Sequence, residues 1–349
     1  MPESPGPTAG VVVGVDGGGT KTDVVVATLD GVVLGTARGG CANWEVVGVD
    51  AVADELRGVV GAALDGAGST GADVVAATFS LAGFDWPSDE ARLAPAVAAP
   101  GLGGTTTLTN DSFAALRAGT PEAFGIVSVA GTGGVCAGRN RHGTTARTMA
   151  IALGEGAGAG SLVRLALDAV AAAHHRSGPP TELTARLLAA TGAPDPAAAF
   201  EELSRGEVRI DAGFATGVTA AADAGDDVAV GVCTEVGAQH GRDVVGLARR
   251  LDMADDAFDL VLAGGVHTSA QAHLRAAFVD AVHTEVPGAR PVPLSAPPVA
   301  GAVLLALEST GVDGPARYAT VTANVAQTLQ TGVHETRHDG RAADTTSGR

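Results

Sequence analysis

The chain has 349 residues, 46% of them hydrophobic and 17% charged, which is long enough for two domains and too apolar for extended disorder. A formal net charge of −17 leaves no basic footprint for nucleic acid or for an anionic membrane surface. Three scattered cysteines with no CxxC pair argue against a disulfide scaffold or a structural zinc site, and no apolar run is long enough to cross a bilayer.

Residues 1–10 are polar and aperiodic and read as a loose tail, with neither the charge nor the apolar core of a secretory signal; a reducing cytoplasm is the expected setting. Short apolar runs over 11–15, 24–29 and 32–36 are joined by a glycine-rich turn and by Asp30-Gly31, which predicts a β-meander. Apolar spacing predicts a helix over about 50–64, then strands over 74–81 and 105–108, the second stopping before Asn110-Asp111. Near residue 125 the opening pattern returns: an apolar run over 125–130, the turn Gly131-Thr132-Gly133-Gly134, and a returning strand over 135–138. That echo suggests two similar halves. Helices follow over about 159–175, 181–191, 196–204, 211–224 and 227–251. A buried-type strand over 258–263 runs into Gly264-Gly265, and helices over 269–283 and 298–308 close the ordered part. Residues 331–349 read as a second loose tail. Strands early and helices late in each half give an α/β fold.

The sharpest local signal is the first glycine turn. Gly17, Gly18 and Gly19 stand between two strands, so their N–H groups can converge on one point with no Cβ in the way, which makes an anion cradle. Thr20 and Thr22 add hydroxyls, and Lys21, the only lysine among 22 basic residues, adds a cation. Asp16 beside such a cradle would repel a bare phosphate, and its presence makes sense with Mg2+ between the two. Two familiar phosphate loops fail on spacing: the Walker loop needs Gly where Thr20 stands, and the dinucleotide fingerprint needs separated glycines that open a helix. Gly131, Thr132 and Gly133 form a second candidate cradle; Gly264 and Gly265 suit a nucleotide base or ribose lying against backbone. Either is weak alone, and the ordered set of three is far more specific. Trp86 reads as core packing.

This ordered set resembles the actin/hexokinase/Hsp70 ATPase superfamily and, within it, the BadF/BadG/BcrA/BcrD-type ATPases and their N-acetylglucosamine kinases. The matching pieces are residues 16–23, Asn43-Trp44, Asn110-Asp111, residues 130–134, Gly154-Glu155-Gly156, residues 263–266 and the helix over 298–307, together spanning about residues 11–310. The resemblance implies a two-lobed actin-like (ribonuclease H-like) fold, each lobe a mixed sheet flanked by helices, with a cleft between. The lobes would cover 11–118 and 119–297, and a closing helix over 298–310 would pack on the first. The resemblance further implies ATP and Mg2+, phosphoryl transfer to a hydroxyl of an amino sugar such as N-acetylglucosamine, and a homodimer.

Carried over residue by residue, it assigns ATP to Gly17, Gly18, Gly19, Thr20, Lys21, Gly131, Thr132, Gly133, Gly264 and Gly265, and the metal to Asp16. Asp111 becomes the catalytic base, with Asn43, Trp44 and Glu155 beside it at the sugar. By residue type alone Asp111 reads as the N-cap of a helix over 112–118, Asn43 as a loop former, and His267 as either an adenine-pocket or a plain loop residue. One departure stands out: Gly154 occupies the place of the family's Asp before Glu155, which removes a charge-assisted hydrogen bond of roughly 1.5–3 kcal/mol from the acceptor. Two other readings fit the same fold: an ATP-driven activator of a reductase or dehydratase that holds an iron–sulfur cluster, and a non-catalytic sugar or ATP sensor.

Overall fold

The computed structural model describes residues 10–149, 158–211, 213–268, 271–331 and 335–337. Of the expected tails, residues 1–9, 332–334 and 338–349 lie outside the described residues. The chain divides into two compact units, one of Met1–Ala123 with Leu294–Arg349 and one of Phe124–Pro293.

The first unit opens with β1 (Val11–Gly17), β2 (Thr22–Thr28), β3 (Val33–Gly39), α1 (Trp44–Val47), α2 (Val49–Gly66), β4 (Val74–Leu81), α3 (Asp89–Ala98), β5 (Thr105–Asn110) and α4 (Asp111–Gly119). The second unit begins with β6 (Gly125–Ala130), β7 (Gly134–Arg139) and β8 (Thr145–Arg147), then turns helical with α5 (Ala159–His174), α6 (Leu183–Thr191), α7 (Pro196–Arg205), α8 (Phe214–Asp223) and α9 (Asp227–Arg250). It finishes with β9 (Phe258–Ala263), α10 (Gly265–Thr268), α11 (Ala272–Glu285) and β10 (Ala289–Pro293). The chain then returns to the first unit with α12 (Pro298–Ser309), α13 (Gly314–Thr331) and β11 (Glu335–Arg337).

The two sheets run β11-β3-β2-β1-β4-β5 and β10-β9-β6-β7-β8. In each, an antiparallel meander is extended by two parallel strands: β1–β2–β3 by β4 and β5, and β6–β7–β8 by β9 and β10. The sequence echo near residue 125 is therefore a duplicated sheet topology, with β11 as an addition to the first copy. Two mixed sheets flanked by helices are the actin-like arrangement.

Strand β1 shows why its sequence carries no polar alternation. Val11, Val13 and Val15, with Val24 and Val26 of β2, enter a core that includes the buried face of α2. Val12, Val25 and Ala27 enter a second core formed with α12 and α13. A strand covered on both faces has to be apolar throughout. Gly14 breaks the valine run because α12 passes directly over it: a Cβ there would lie 2.5 Å from Val303 N. A Cβ on Gly301 of α12 would overlap the Ala114 carbonyl oxygen of α4. Buried Arg117 of α4 donates to Glu308 Oε1 of α12 at 2.7 Å and to Thr120 O at 2.8 Å, and Tyr318 of α13 donates to Ala118 O at 2.9 Å. The returning helices thus clamp β1 and α4, the two elements that carry Asp16 and Asp111.

Order extends past the helix expected to be last. Helix α13 turns Tyr318, Val321, Val325 and Leu329 to the core at helical spacing, a short apolar stripe among mostly polar residues that the sequence reading passed over. Strand β11, inside the stretch expected to be a loose tail, pairs in parallel with β3. Strand β10 escaped notice because Pro291 and Pro293 interrupt it; it is an edge strand, where a missing N–H is tolerated.

Replacing Gly301 by Ala should cost roughly 1–3 kcal/mol through forced displacement of α4. The check is a lower denaturant midpoint at unchanged slope. The same change at Gly61 of α2, where a Cβ meets nothing within 4 Å, should leave stability the same or slightly higher.

Candidate active site

In the first unit, β1 and β2 pair in antiparallel register from Val11↔Thr28 to Gly17↔Thr22, and residues 18–21 form the tip. The tip closes with Gly18 N–H donating to Lys21 O at 2.9 Å, which leaves Gly19 and Thr20 exposed. The foot of the hairpin is anchored: Ala42 N–H donates to Gly18 O at 3.0 Å, and Ala82 N–H to Gly17 O at 2.8 Å. A Cβ on Gly17 would press to 2.6 Å from Leu81 and 3.0 Å from Ala42, so glycine is needed there for packing as well as for access.

Strand register then lines up Asp16, Asp23 and Arg38 side by side across β1, β2 and β3. Asp23 is buried and accepts from Lys21 Nζ and Arg38 Nε, each at 2.6 Å. Burial, then the carboxylates of Asp111 and Asp23, push the Asp16 carboxyl up to about 7 against the opposing pull of Lys21. Asp111 is the first residue of α4, at the end of β5.

The capping role that residue type alone gives to Asp111 belongs to its neighbour. Asn110 Oδ1 accepts from Ser112 N–H at 3.1 Å and contacts Ser112 Oγ, while Asn110 Nδ2 donates to Phe84 O at 3.2 Å and to Asp85 Oδ1 at 3.0 Å. Asp111 is therefore held by the helix start without serving as its cap. Buried Asp89 fixes the adjoining loop by accepting from Asp85 N–H at 3.0 Å and Trp86 N–H at 2.8 Å.

Asn43 and Trp44 begin α1, at the end of a loop bolted to the same hairpin. Gly40 N–H donates to Glu55 Oε1 at 2.7 Å, and the Thr22 hydroxyl donates to Gly40 O at 2.8 Å. Thr22 therefore supports this loop and is not a free donor at the turn. Asn43 Oδ1 caps α1 by accepting from Glu45 N–H at 2.9 Å. Trp44 Nε1 donates to Gly83 O at 2.6 Å, and the Arg92 guanidinium covers one ring face at 4.6 Å from the centroid. Trp86, expected in a core, is 44% exposed.

In the second unit, Gly131 N–H donates to Gly133 O at 2.9 Å across the turn between β6 and β7. The start of α5 docks on that turn: Ala159 N–H donates to Gly131 O and Gly160 N–H to Thr132 O, both at 2.9 Å. Gly158 has φ +107 and lies against Gly133 O with no room for a Cβ. Gly264, with φ +90, packs on the Ala130 backbone, so the second and third glycine turns touch. Gly131 and Thr132, Ala159 and Leu162 of α5, Thr216 and Thr219 of α8, and Gly265 and Val266 of α10 border a cavity of about 360 Å³. His267 does not line it; its ring turns inward and is buried. Glu155, with Gly154, lies outside the described residues.

The structure thus gathers Asp16, Gly17, Gly18, Gly19, Thr20, Lys21, Asn43, Trp44 and Asp111 in the first unit. It gathers Gly131, Thr132, Gly133, Gly264 and Gly265 in the second. Sequence reading missed Asp23, Arg38 and Glu55. The signal for the first two was register: once β1, β2 and β3 pair, residues 16, 23 and 38 are neighbours. Among the described residues no group of three or more His, Cys, Asp or Glu side chains is placed to hold a metal by itself. Nor is any described helix long and apolar enough to cross a membrane.

Comparison with known proteins gives the lineage. An N-acetylmuramic acid/N-acetylglucosamine kinase of Clostridium acetobutylicum is 28% identical over 137 residues, which is 39% of this chain and 45% of that protein, so the match spans less than half of the relative's length. A solved structure from Chromobacterium violaceum, provisionally named an N-acetylglucosamine kinase, aligns with TM-score 0.65 at 23% identity over 86% of this chain and 99% of that one. A ROK hexokinase from Thermus thermophilus aligns with TM-score 0.54 at 20% identity over the same shares. At these identities the two structures show a shared fold. The sequence profile of the BadF/BadG/BcrA/BcrD ATPase family matches residues 13–306, nearly the whole described chain, and the chain belongs to that family.

Proposed function

We propose that this protein is an ATP-dependent kinase that transfers the γ-phosphoryl group to a hydroxyl of an amino sugar, with N-acetylglucosamine the first candidate. The observation that carries the reading is the Asp111 carboxylate at the end of β5, close enough to Asp16 at the foot of the glycine hairpin to raise that carboxyl. Family membership and the sugar-kinase name of the Clostridium relative support it.

The chemistry follows from the side chains. Asp111 accepts the proton of the acceptor hydroxyl as that oxygen bonds to the γ-phosphorus and the bond to the β,γ-bridging oxygen breaks. The Gly19 amide and the Thr20 hydroxyl would face the phosphate oxygens, while the Gly18 amide closes the tip on Lys21 O. Asp23 holds Lys21 and Arg38 beside them, which keeps two cations in place without leaving them mobile. The Asp16, Asp23 and Asp111 carboxylates outnumber those two cations, so the hairpin suits an anion only with further positive charge. A divalent cation such as Mg2+ would supply that charge, and Asp16 is the side chain that would hold it; one or two carboxylates plus phosphate oxygens make an ordinary magnesium environment. Asn43 spends its oxygen on capping α1, while its Nδ2, with no partner among the described residues, is the donor for a sugar oxygen. The cavity bordered by Gly131, Thr132, Gly265 and Val266 is assigned to the nucleotide.

The activator reading asks for accessible thiolates. Cys136 and Cys233 are buried, and burial, then Asp223, pushes the Cys233 thiol up to about 11. Neither is a ready cluster ligand.

An ADP-release assay across amino sugars and their N-acetyl forms tests the reaction, and a flat response over the whole panel in the presence of Mg·ATP refutes it. Asp111→Asn should lower kcat by roughly 10²–10⁴-fold while the Kd for ATP stays within about twofold. Full activity in that variant removes Asp111 from the mechanism.

Asp16 gives a pH signature. Its carboxyl holds a proton up to about 7 in the folded protein against its ordinary 3.8, so the folded state binds the extra proton in that window and stability falls as pH rises through it. Asp16→Asn should therefore raise the Tm of the ligand-free protein at pH 8 and change it little at pH 4. Mg·ATP binding near pH 7 should release protons, measured by calorimetry in buffers of different ionisation enthalpy, and the variant should lose that release.

A further inference from the structure

Three polar side chains inside the second unit take no part in the reading above. Ser128 of β6 is fully buried, His240 of α9 is 3% exposed and His267 of α10 is 9% exposed. Ser128 Oγ lies 2.6 Å from His240 Nε2 and 2.6 Å from His267 Nε2. The ring of Phe278 in α11 closes the cluster, with centroids 5.7 Å from His240 and 5.0 Å from His267. His240 Nδ1 lies 3.9 Å from Asp243 Oδ2 and makes no hydrogen bond. Serine, histidine and aspartate in this order have the makeup of a nucleophile, but solvent does not reach Ser128, and neither can a substrate.

Proton counting defines what the cluster does instead. A serine hydroxyl has one proton, so it donates to one imidazole and accepts from the other. Burial, with His240 and Arg275 as neighbours, pushes His267 down to about 3, so that ring is neutral. The hydroxyl therefore bridges His240 of α9 and His267 of α10, whichever ring donates. Ser128 thereby ties β6 to α10.

Its position matters for the cavity. Ser128 sits three residues before Gly131 on the strand that feeds the second glycine turn, and His267 sits two residues after Gly265. Ser128 pairs opposite Leu262 of β9, the strand that feeds the third turn. Helix α10 has only four residues, too few to hold itself in place, and its Gly265 and Val266 border the cavity.

We propose that Ser128 and His267 are positioning residues for the nucleotide: their hydrogen bond sets the Gly265–Val266 edge of the cavity against the Gly131–Thr132 edge. The inference rests on assigning that cavity to a nucleotide, and it stands independently of which acceptor is phosphorylated.

The test measures the Kd of Mg·ADP by calorimetry, the Tm, and the acceptor KM at saturating ATP in Ser128→Ala, His267→Leu and His267→Gln. The Gln side-chain amide reaches the place of the imidazole Nε2 and can turn either its oxygen or its NH2 group to Ser128, so that variant keeps a partner for the hydroxyl. Ser128→Ala and His267→Leu should raise the Kd by roughly tenfold, with His267→Gln restoring most of it and the acceptor KM unchanged. If His267→Leu does not fold, the smaller cut Ser128→Ala carries the comparison. A Kd that stays within about twofold while the Tm falls shows that the cluster only packs the core and overturns the proposal. A native protein that binds Mg·ADP yet phosphorylates no sugar refutes the acceptor reading alone. One that binds neither ADP nor ATP overturns both.

Discussion

The first unit depends on how closely α12 approaches β1 and α4. That approach is backbone against backbone, made possible where Gly14 and Gly301 remove a Cβ. It places the returning C-terminal segment over the strand that ends in Asp16 and beside the helix that begins with Asp111. The ion pair of buried Arg117 with part-buried Glu308 closes the same contact with charge. Such pairs add little net stability compared with an apolar substitute, but separating one leaves a buried charge without a partner. The contact therefore permits one relative placement of the two carboxylates and penalises the others.

Electrostatics in the first unit runs against stability at Asp16. Three carboxylates share one end of the sheet; Lys21 and Arg38 bind Asp23, and burial with the Asp111 and Asp23 carboxylates raises the Asp16 carboxyl. A protein without a cationic ligand holds that crowding as a standing cost, visible in the raised Asp16 carboxyl. Strain of this kind at a single location is typical of sites that are completed by what they bind.

The second unit solves a different problem, holding bare turns still. Glycines that open space for a ligand also loosen the chain. Around Gly131–Gly133 the loss is offset by the first amides of α5, which bind turn carbonyls; around Gly264-Gly265 it is offset by contact with Ala130 and by the inward grip of His267. Each turn is thus fixed from behind, by backbone or buried side chains, and its open side stays uncluttered.

Much of this was legible in the residues themselves. The valine runs, the glycine turns and their order specified an α/β chain with a repeated strand–turn–strand opening, because local periodicity and glycine placement are written in contiguous sequence. The neighbours Asp111 and Asn110 could not be told apart that way, since either suits a helix start, and only the fold shows Asn110 as the cap. Asp23 and Arg38 join Asp16 through strand register, Glu55 supports Gly40 from a helix fifteen residues away, and Ser128 meets two histidines more than a hundred residues distant. Such contacts leave no periodic mark. The sequence by itself determined which turns could hold an anion; tertiary structure decided which side chains surround them, because pairing between distant segments is set by packing and not by spacing along the chain.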